Sequence, residues 1–148
     1  MFRGVAQLSL DSKGRLAVPS RFRDAITARC SGHLVITADS DHCLLVYPQP
    51  DWEPIEQKLM ALSSFNPQIR ELQRRLVGYA EDVVMDATGR ILVPPALRRY
   101  AQLDKSAVLV GQGNKFELWN KEGWDQRMEQ GGGFGPGGLP PELEGFSL

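Results

Sequence analysis

Cysteine and histidine are scarce in this 148-residue chain, which contains two of each. The two cysteines, Cys30 and Cys43, cannot form the disulfide framework of a small secreted domain, so we expect reduced thiols and a cytoplasmic protein. No apolar run approaches the roughly 20 residues of a membrane-spanning helix. The opening residues MFRGVAQ lack the apolar core of a signal peptide. We therefore expect no membrane partner.

Metal-binding and catalytic patterns are missing as well. His42 and Cys43 are neighbours on an expected strand, so their side chains should point to opposite faces and cannot easily share one ion. The sequence offers no set of nucleophile, base and orienting group, and no glycine motif that cradles phosphate at a helix start. We expect a protein that is not an enzyme, with no cofactor, no metal and no small-molecule substrate.

Net charge is nearly absent, because 17 basic side chains are set against 18 acidic ones. The charges are unevenly distributed, which indicates either a surface for a polyanion or simply scattered solvated charge. From Glu117 onward, six acidic residues face two basic ones. Residues 1–30 instead carry two acidic residues and six basic ones, namely Arg3, Lys13, Arg15, Arg21, Arg23 and Arg29.

One motif occurs twice. LDSKGRLAVPSRFRDAI begins at Leu10 and MDATGRILVPPALRRYA begins at Met85. Similarity continues downstream, where GHLVIT matches SAVLVG and CLLVYPQPDW matches KFELWNKEGW. Two copies predict a pseudo-symmetric pair rather than a solenoid, which needs at least about three repeats. The positions identical in the first stretch are Asp11/Asp86, Gly14/Gly89, Arg15/Arg90, Val18/Val93, Pro19/Pro94 and Arg23/Arg98.

The aspartate and glycine of the motif have a structural explanation. Asp11 and Asp86 can accept backbone hydrogen bonds in Asx-type turns, and Gly14 and Gly89 permit a positive φ. These four residues should therefore shape their loops.

Nothing in turn geometry requires the arginine that follows. Arg15 and Arg90 either pair with the loop aspartate or present a guanidinium fork to phosphate or to a guanine edge. Lys13 favours the second reading for the first copy. If the strands pair as expected, Arg3, Arg21 and Arg23 supply phosphate contacts nearby. The second copy is weaker, since Thr88 replaces Lys13.

The order of elements predicts a β-rich α+β fold. Each copy should contain a strand, the motif turn, a short second strand, a helix starting at proline, and a hairpin, with tryptophan beginning the next helix. We predict a first repeat over 5–52, a helical connector over 53–80, a second repeat over 81–124, and a helix end with a flexible glycine-rich tail over 125–148.

These motifs resemble the MraZ family of the AbrB/SpoVT-like swapped-hairpin superfamily. The resemblance covers about residues 1–130. It rests on MFRG, LDSKGRLAVP, CLLVYP with Trp52 downstream, GRILVPPALRRYA and NKFELW.

The resemblance implies two tandem swapped-hairpin repeats that form a pseudo-dimer within one chain and assemble into a ring-shaped homo-oligomer. It implies a transcriptional regulator of the cell-division and cell-wall gene cluster, nucleoid-associated, that binds short direct repeats in its own promoter DNA. Arg15 and Arg90 become the DNA-contact candidates, while Asp11 and Asp86 shape their loops. The alternative is an antitoxin-like or scaffolding module whose DNA affinity is incidental.

Overall fold

The computed structural model describes residues 1–131 and 140–146, and these residues form eight β-strands and five α-helices. The first elements are β1 (Phe2–Ser9), β2 (Arg15–Ala17), α1 (Ser20–Cys30), β3 (His33–Ala38), β4 (Leu44–Pro48) and α2 (Gln49–Ala61). They are followed by α3 (Pro67–Leu76), β5 (Glu81–Val84), β6 (Arg90–Leu92), α4 (Pro95–Tyr100), β7 (Ser106–Gly113), β8 (Lys115–Asn120) and α5 (Lys121–Gln130). The predicted mixed α+β class, rich in sheet, is confirmed.

The main sheet has six antiparallel strands in the order β1-β7-β8-β4-β3-β5. The β3–β4 hairpin of the first half and the β7–β8 hairpin of the second meet at its centre, where β4 pairs with β8. Each outer strand comes from the opposite half: β1 pairs with β7, and β5 pairs with β3. The two halves therefore share one sheet through exchanged strands.

A second, two-stranded sheet is formed by β2 and β6, the short strands that follow the two motif turns. Its antiparallel register places Arg15 opposite Leu92, Leu16 opposite Ile91, and Ala17 opposite Arg90. We call this pair the ribbon. Leu16 and Ile91 are 1% and 2% exposed, so the inner face of the ribbon belongs to the core.

The main core also draws on both halves, because the repeated sequence supplies matching apolar positions. Phe22 and Ile26 of α1 and Leu97 of α4 pack in the same cluster as the ribbon and one face of the large sheet. Each proline before these helices, Pro19 and Pro94, stands at the N-cap position. The helices thus start directly where the ribbon strands end, which holds the ribbon against the core.

The segment between the two halves holds α2 and α3, and α2 begins at Gln49, four residues before the predicted start of the connector at residue 53. Asn66 followed by Pro67 predicts an N-cap with proline at the first helical position. The structure confirms it, since Asn66 accepts hydrogen bonds from the backbone N–H groups of Gln68 at 2.9 Å and Ile69 at 3.3 Å.

The i, i+4, i+7 spacing of Ile55, Leu59 and Leu62 predicts that Leu62 lies on the apolar face of α2. That prediction is wrong, since α2 ends at Ala61 and Leu62 is 46% exposed. Ser63 accepts a bond from the N–H of Phe65, and such local turns compete with helix.

The three tryptophans pack against apolar neighbours, but Trp52 and Trp124 do not begin the helices that contain them. Trp52 is 2% exposed and Trp119 is 7% exposed, and Trp124 packs half-buried beside Trp119. Trp52 and Trp124 lie inside the first turns of α2 and α5, which begin three residues earlier. Asn120 caps α5 by accepting a hydrogen bond from the N–H of Gly123 at 2.8 Å, and this asparagine marks the true start.

The predicted tail falls largely outside the described residues, at 132–139 and 147–148. Among the tail residues that are described, Pro141–Leu143 forms a short 3-10 turn.

Candidate nucleic-acid interface

The first motif loop is organised by the carboxylate of Asp11. Its Oδ1 accepts hydrogen bonds from the backbone N–H groups of Lys13 and Arg15, both at 2.9 Å. Its Oδ2 accepts a bond from Arg15 Nε at 2.8 Å. The N–H of Gly14 donates to the Asp11 carbonyl at 3.0 Å, which closes the turn. The expected Asx-type turn is therefore present, and the aspartate holds both the backbone and the arginine.

The second loop repeats this geometry with one addition. Asp86 accepts hydrogen bonds from the N–H groups of Thr88 at 3.0 Å and Arg90 at 2.8 Å. The Thr88 hydroxyl donates to Asp86 at 2.8 Å and accepts a bond from Arg90 Nε at 3.0 Å. Arg90 Nε lies 3.3 Å from Asp86 Oδ2. Thr88 thus ties the second arginine more closely to its loop, where the first loop carries Lys13.

Both loop glycines occupy the left-handed region of backbone conformation, with φ of +85° at Gly14 and +81° at Gly89. A side chain would be strained at such a φ, so glycine is required on backbone grounds. The role in loop shaping predicted for the two glycines is consistent with this geometry.

The ribbon carries both motif arginines on one face. Side chains alternate along each strand, and Leu16 and Ile91 point into the core, so Arg15 and Arg90 point outward. In the observed register the two arginines are diagonal neighbours, whose Cβ atoms lie roughly 7–8 Å apart in an antiparallel pair. Two arginines from different halves therefore share the outer face of the ribbon.

The arginines combine the two arrangements that sequence left open. Each pairs with its loop aspartate, yet the side chains of Arg15 and Arg90 remain 34% and 42% exposed. Within the described residues, only the Nε of each guanidinium donates a hydrogen bond. The Nη nitrogens remain available, so the aspartate orients the fork while its outer edge faces solvent. An arginine held in this way can donate to phosphate or to base edges.

The pKa of Asp86 is lowered to about 2, first because its carboxylate accepts the N–H of Arg90 and next because it accepts the Thr88 hydroxyl. The pKa of Asp11 is also lowered, chiefly by the hydrogen bond from the N–H of Arg15. Both loops thus favour the ionised carboxylate.

Acid is expected to release the second loop only near pH 2. A carboxyl whose pKa falls from 3.8 to about 2 on folding stabilises the folded loop fully above pH 3.8, and this contribution is lost as the pH falls through the folded value. An NMR titration of the Asp86 side-chain carbon should have its midpoint there. Thr88→Ala should move the midpoint upward. A wild-type midpoint at the ordinary aspartate value would contradict the hydrogen-bonded geometry.

The other predicted DNA-binding residues lie at different distances from the first motif loop. Lys13 is exposed in the first loop, beside Arg15. Arg21 is exposed on α1, where its Nη2 donates to the Val5 carbonyl at 3.3 Å and its guanidinium lies 4.9 Å from the centre of the Phe22 ring. Arg21 therefore lies along β1, away from the turn itself.

Arg3 does not join the loop. It stands near the start of β1, opposite Gln112 of β7, and seven residues before Leu10. In an extended strand that separation is about 20 Å. The sequence could not give this distance, because it depends on β1 remaining straight and pairing with the second half.

Arg23 and Arg98 are half-buried and lie against the motif loops. Arg23 Nε donates to the Val18 carbonyl at 2.7 Å, and Arg98 Nε donates to the Val93 carbonyl at 2.9 Å. The sequence predicts a phosphate contact for Arg23 and no role for Arg98. The sequence does hold one signal for this shared placement: both repeats carry arginine at the same position, Arg23 in the first and Arg98 in the second.

Other features that sequence analysis weighed lie elsewhere. The expectation that His42 and Cys43 are neighbours on a strand is wrong, because β4 begins at Leu44 and His42 stands in the preceding turn with φ of +61°. Cys43 is buried and His42 is exposed. Within the described ranges, no three His, Cys, Asp or Glu side chains gather as metal ligands would. Nor does any helix in those ranges combine the length and apolar character that crossing a bilayer demands.

The fold and the ribbon together define a class: a sheet-rich α+β protein of two related halves that share one sheet and present paired Asp–Gly–Arg loops. The model of the MraZ protein family, described as antitoxin-like, matches this chain twice, over residues 1–75 and 76–131. The chain belongs to the MraZ family.

Relatives of similar length are found in several bacteria. A protein of Nitrosospira multiformis is 64% identical over 148 residues, and one of Thiobacillus denitrificans is 58% identical over 148 residues. A protein of Pseudomonas aeruginosa is 52% identical over 151 residues. Each alignment covers 100% of both chains, and each relative is named transcriptional regulator MraZ.

Proposed function

We propose that this chain is a transcriptional regulator that binds promoter DNA through the ribbon and its two loops. The observation that carries the proposal is the outward pair Arg15 and Arg90, held by Asp11 and Asp86 on one face of the β2–β6 ribbon. The names of the relatives agree with a regulator.

The dimensions of DNA favour this reading. The major groove of B-DNA admits a two-stranded β-ribbon, and arginine donating to O6 and N7 of guanine is the commonest specific contact there. We assign Arg15 to a guanine, with Arg90 supporting it from the second loop. Lys13 supplies a phosphate contact that positions the ribbon without reading sequence. Arg3, Arg21 and Arg23 are weaker candidates, because Arg3 and Arg21 lie along β1 away from the turn and Arg23 donates inward.

We infer that residues 5–52 and 81–124 are two AbrB/SpoVT-like repeats arranged as a swapped-hairpin pseudo-dimer. The exchange of β1 and β5 between the halves, and the cross-pairing of β2 with β6, support this. The connector over 53–80 then joins two copies of one DNA-binding unit.

Assembly would strengthen binding. One protomer offers few cations, so its phosphate contacts alone would be weak and salt-sensitive. Protomers joined in a ring can engage successive direct repeats at high effective concentration. We propose such a homo-oligomer, cytoplasmic and nucleoid-associated, acting as a repressor on its own promoter in the cell-division and cell-wall gene cluster.

The description of the family as antitoxin-like favours a second candidate, a protein-interaction module with incidental DNA affinity. Such a module would use the connector helices or the acidic C-terminal region for its partner. Its DNA binding would be driven by charge and would ignore sequence.

A filter-binding salt titration separates these functions. The DNA immediately upstream of the gene and a scrambled duplex of equal composition are compared between about 50 and 200 mM salt. A regulator should bind its promoter at least roughly 1000-fold more tightly than the scrambled duplex near physiological salt. Equal binding to both duplexes would reject sequence-specific regulation. Short tandem repeats in that upstream DNA would support it independently.

A further inference from the structure

Neither motif loop is built by its own half alone. The N–H of Val93, at the end of β6, donates to the Gly14 carbonyl at 3.0 Å. Reciprocally, the N–H of Val18, at the end of β2, donates to the Gly89 carbonyl at 2.8 Å. Each loop is therefore tied by its glycine to the strand of the opposite half.

An arginine from the opposite half also packs against the glycine of each loop. A Cβ atom built on Gly14 would lie 2.5 Å from Cζ of Arg98, and one built on Gly89 would lie 2.5 Å from Cζ of Arg23. The guanidinium groups thus occupy the space that a side chain at each glycine would fill. A side chain at either glycine would therefore displace the neighbouring arginine, in addition to being strained at the positive φ.

The two arginines are fixed where they make this contact. Each Nε donates to a carbonyl five residues earlier in its own half, Val18 for Arg23 and Val93 for Arg98. Both side chains are half-buried, and their anchoring carbonyls belong to the same valines whose N–H groups bond the opposite loop. In each case the valine N–H and the arginine side chain of one half therefore contact the motif loop of the other half at adjacent points.

We propose that Arg98 positions the Arg15 loop and Arg23 positions the Arg90 loop, so that each DNA-reading loop depends on an arginine of the other half. Arg23 and Arg98 are positioning residues, because their hydrogen bonds reach the ribbon backbone. This assignment deepens the proposed function and rests on it for the DNA-binding consequence. The cross-dependence of the loops can be measured without DNA.

Hydrogen exchange tests the cross-dependence in the free protein. The amides of Lys13, Gly14 and Arg15 are all hydrogen-bonded to Asp11, so their exchange reports local opening. Arg98→Ala should accelerate their exchange roughly tenfold and leave residues 86–90 unchanged. Arg23→Ala should do the reverse. Arg99→Ala, at an exposed position one residue away, should affect neither loop.

A double-mutant cycle tests the consequence for binding. Arg98→Ala should weaken promoter binding roughly tenfold in the wild-type and Arg90→Ala backgrounds, with no further loss in the Arg15→Ala background. Arg23→Ala should show the opposite dependence. Should an alanine variant fail to fold, Arg98→Lys keeps the aliphatic stem and charge but loses the planar fork, and the same pattern is expected.

Two results would overturn the inference: exchange that rises in the loop of the same half or equally in both loops, and losses that add independently in every background. Failure of the proposed function is distinct, because the wild-type protein would then not discriminate its promoter from scrambled DNA, whatever the exchange pattern.

Discussion

Replacing Arg15 by alanine is expected to abolish discrimination between the promoter and scrambled DNA. A bidentate arginine–guanine contact contributes about 1–3 kcal/mol of discrimination, and a ring engages several repeats, so the loss of promoter affinity should be at least roughly 100-fold. Thermal stability should change little, because the Arg15–Asp11 pair is exposed and exposed ion pairs contribute little to folding. Fluorescence anisotropy and a thermal melt measure both quantities.

Two controls sharpen this test. Arg15→Lys keeps the charge and removes the fork, so it should retain non-specific affinity and lose specificity. Arg99→Ala removes an exposed arginine to which we assign no role in the ribbon, and this variant should bind normally. If Arg15→Ala instead unfolds the protein, the arginine serves the loop alone and the binding proposal fails.

Phe116→Ala should cause the largest loss of stability, about 3–5 kcal/mol in the free energy of unfolding. Phe116 is 1% exposed in β8. Its ring stacks on that of Phe2 with centroids 4.2 Å apart and meets Phe22 edge-on at 5.0 Å. Phe2 and Phe22 belong to the first half and Phe116 to the second, so truncation leaves a cavity where the halves join.

Urea denaturation measures the effect, with Phe65→Ala as the matched control. Phe65 is 91% exposed between α2 and α3, and its truncation should change stability by less than about 0.5 kcal/mol. A loss below about 1 kcal/mol for Phe116→Ala would mean that the aromatic cluster does not join the halves.

Local chemistry could be predicted from the sequence, because short-range patterns determine it. The Asx turns at Asp11 and Asp86 and the cap at Asn66 follow from side chains that bond their own backbone two or three residues on. The prediction that α5 begins at Trp124 is wrong because Asn120 caps the helix, which begins three residues earlier at Lys121. The prediction that α2 begins at Trp52 is wrong because α2 begins at Gln49, directly after Pro48.

Long-range placement could not be predicted in the same way. Alternation identifies a strand but not its partner, so the remoteness of Arg3 from the loops emerges only from the pairing of β1 with β7. The contact of Arg98 with Gly14 joins positions 84 residues apart, so the residues surrounding either position in the sequence do not predict it. For Arg15, the sequence left an ion pair with Asp11 and an outward guanidinium as alternatives. The structure shows the ion pair through Nε, with the side chain 34% exposed.

Exchanged strands on one covalent chain have a further consequence. Two separate subunits that trade strands come apart on dilution, and identical subunits must present identical surfaces. Here the two halves cannot dissociate on dilution, because they belong to one chain. The loop that carries Lys13 and the loop that carries Thr88 are therefore always present together in one molecule. The two different loops are held permanently in one arrangement, and in the DNA complex that we propose this asymmetry gives the protein one direction along the duplex.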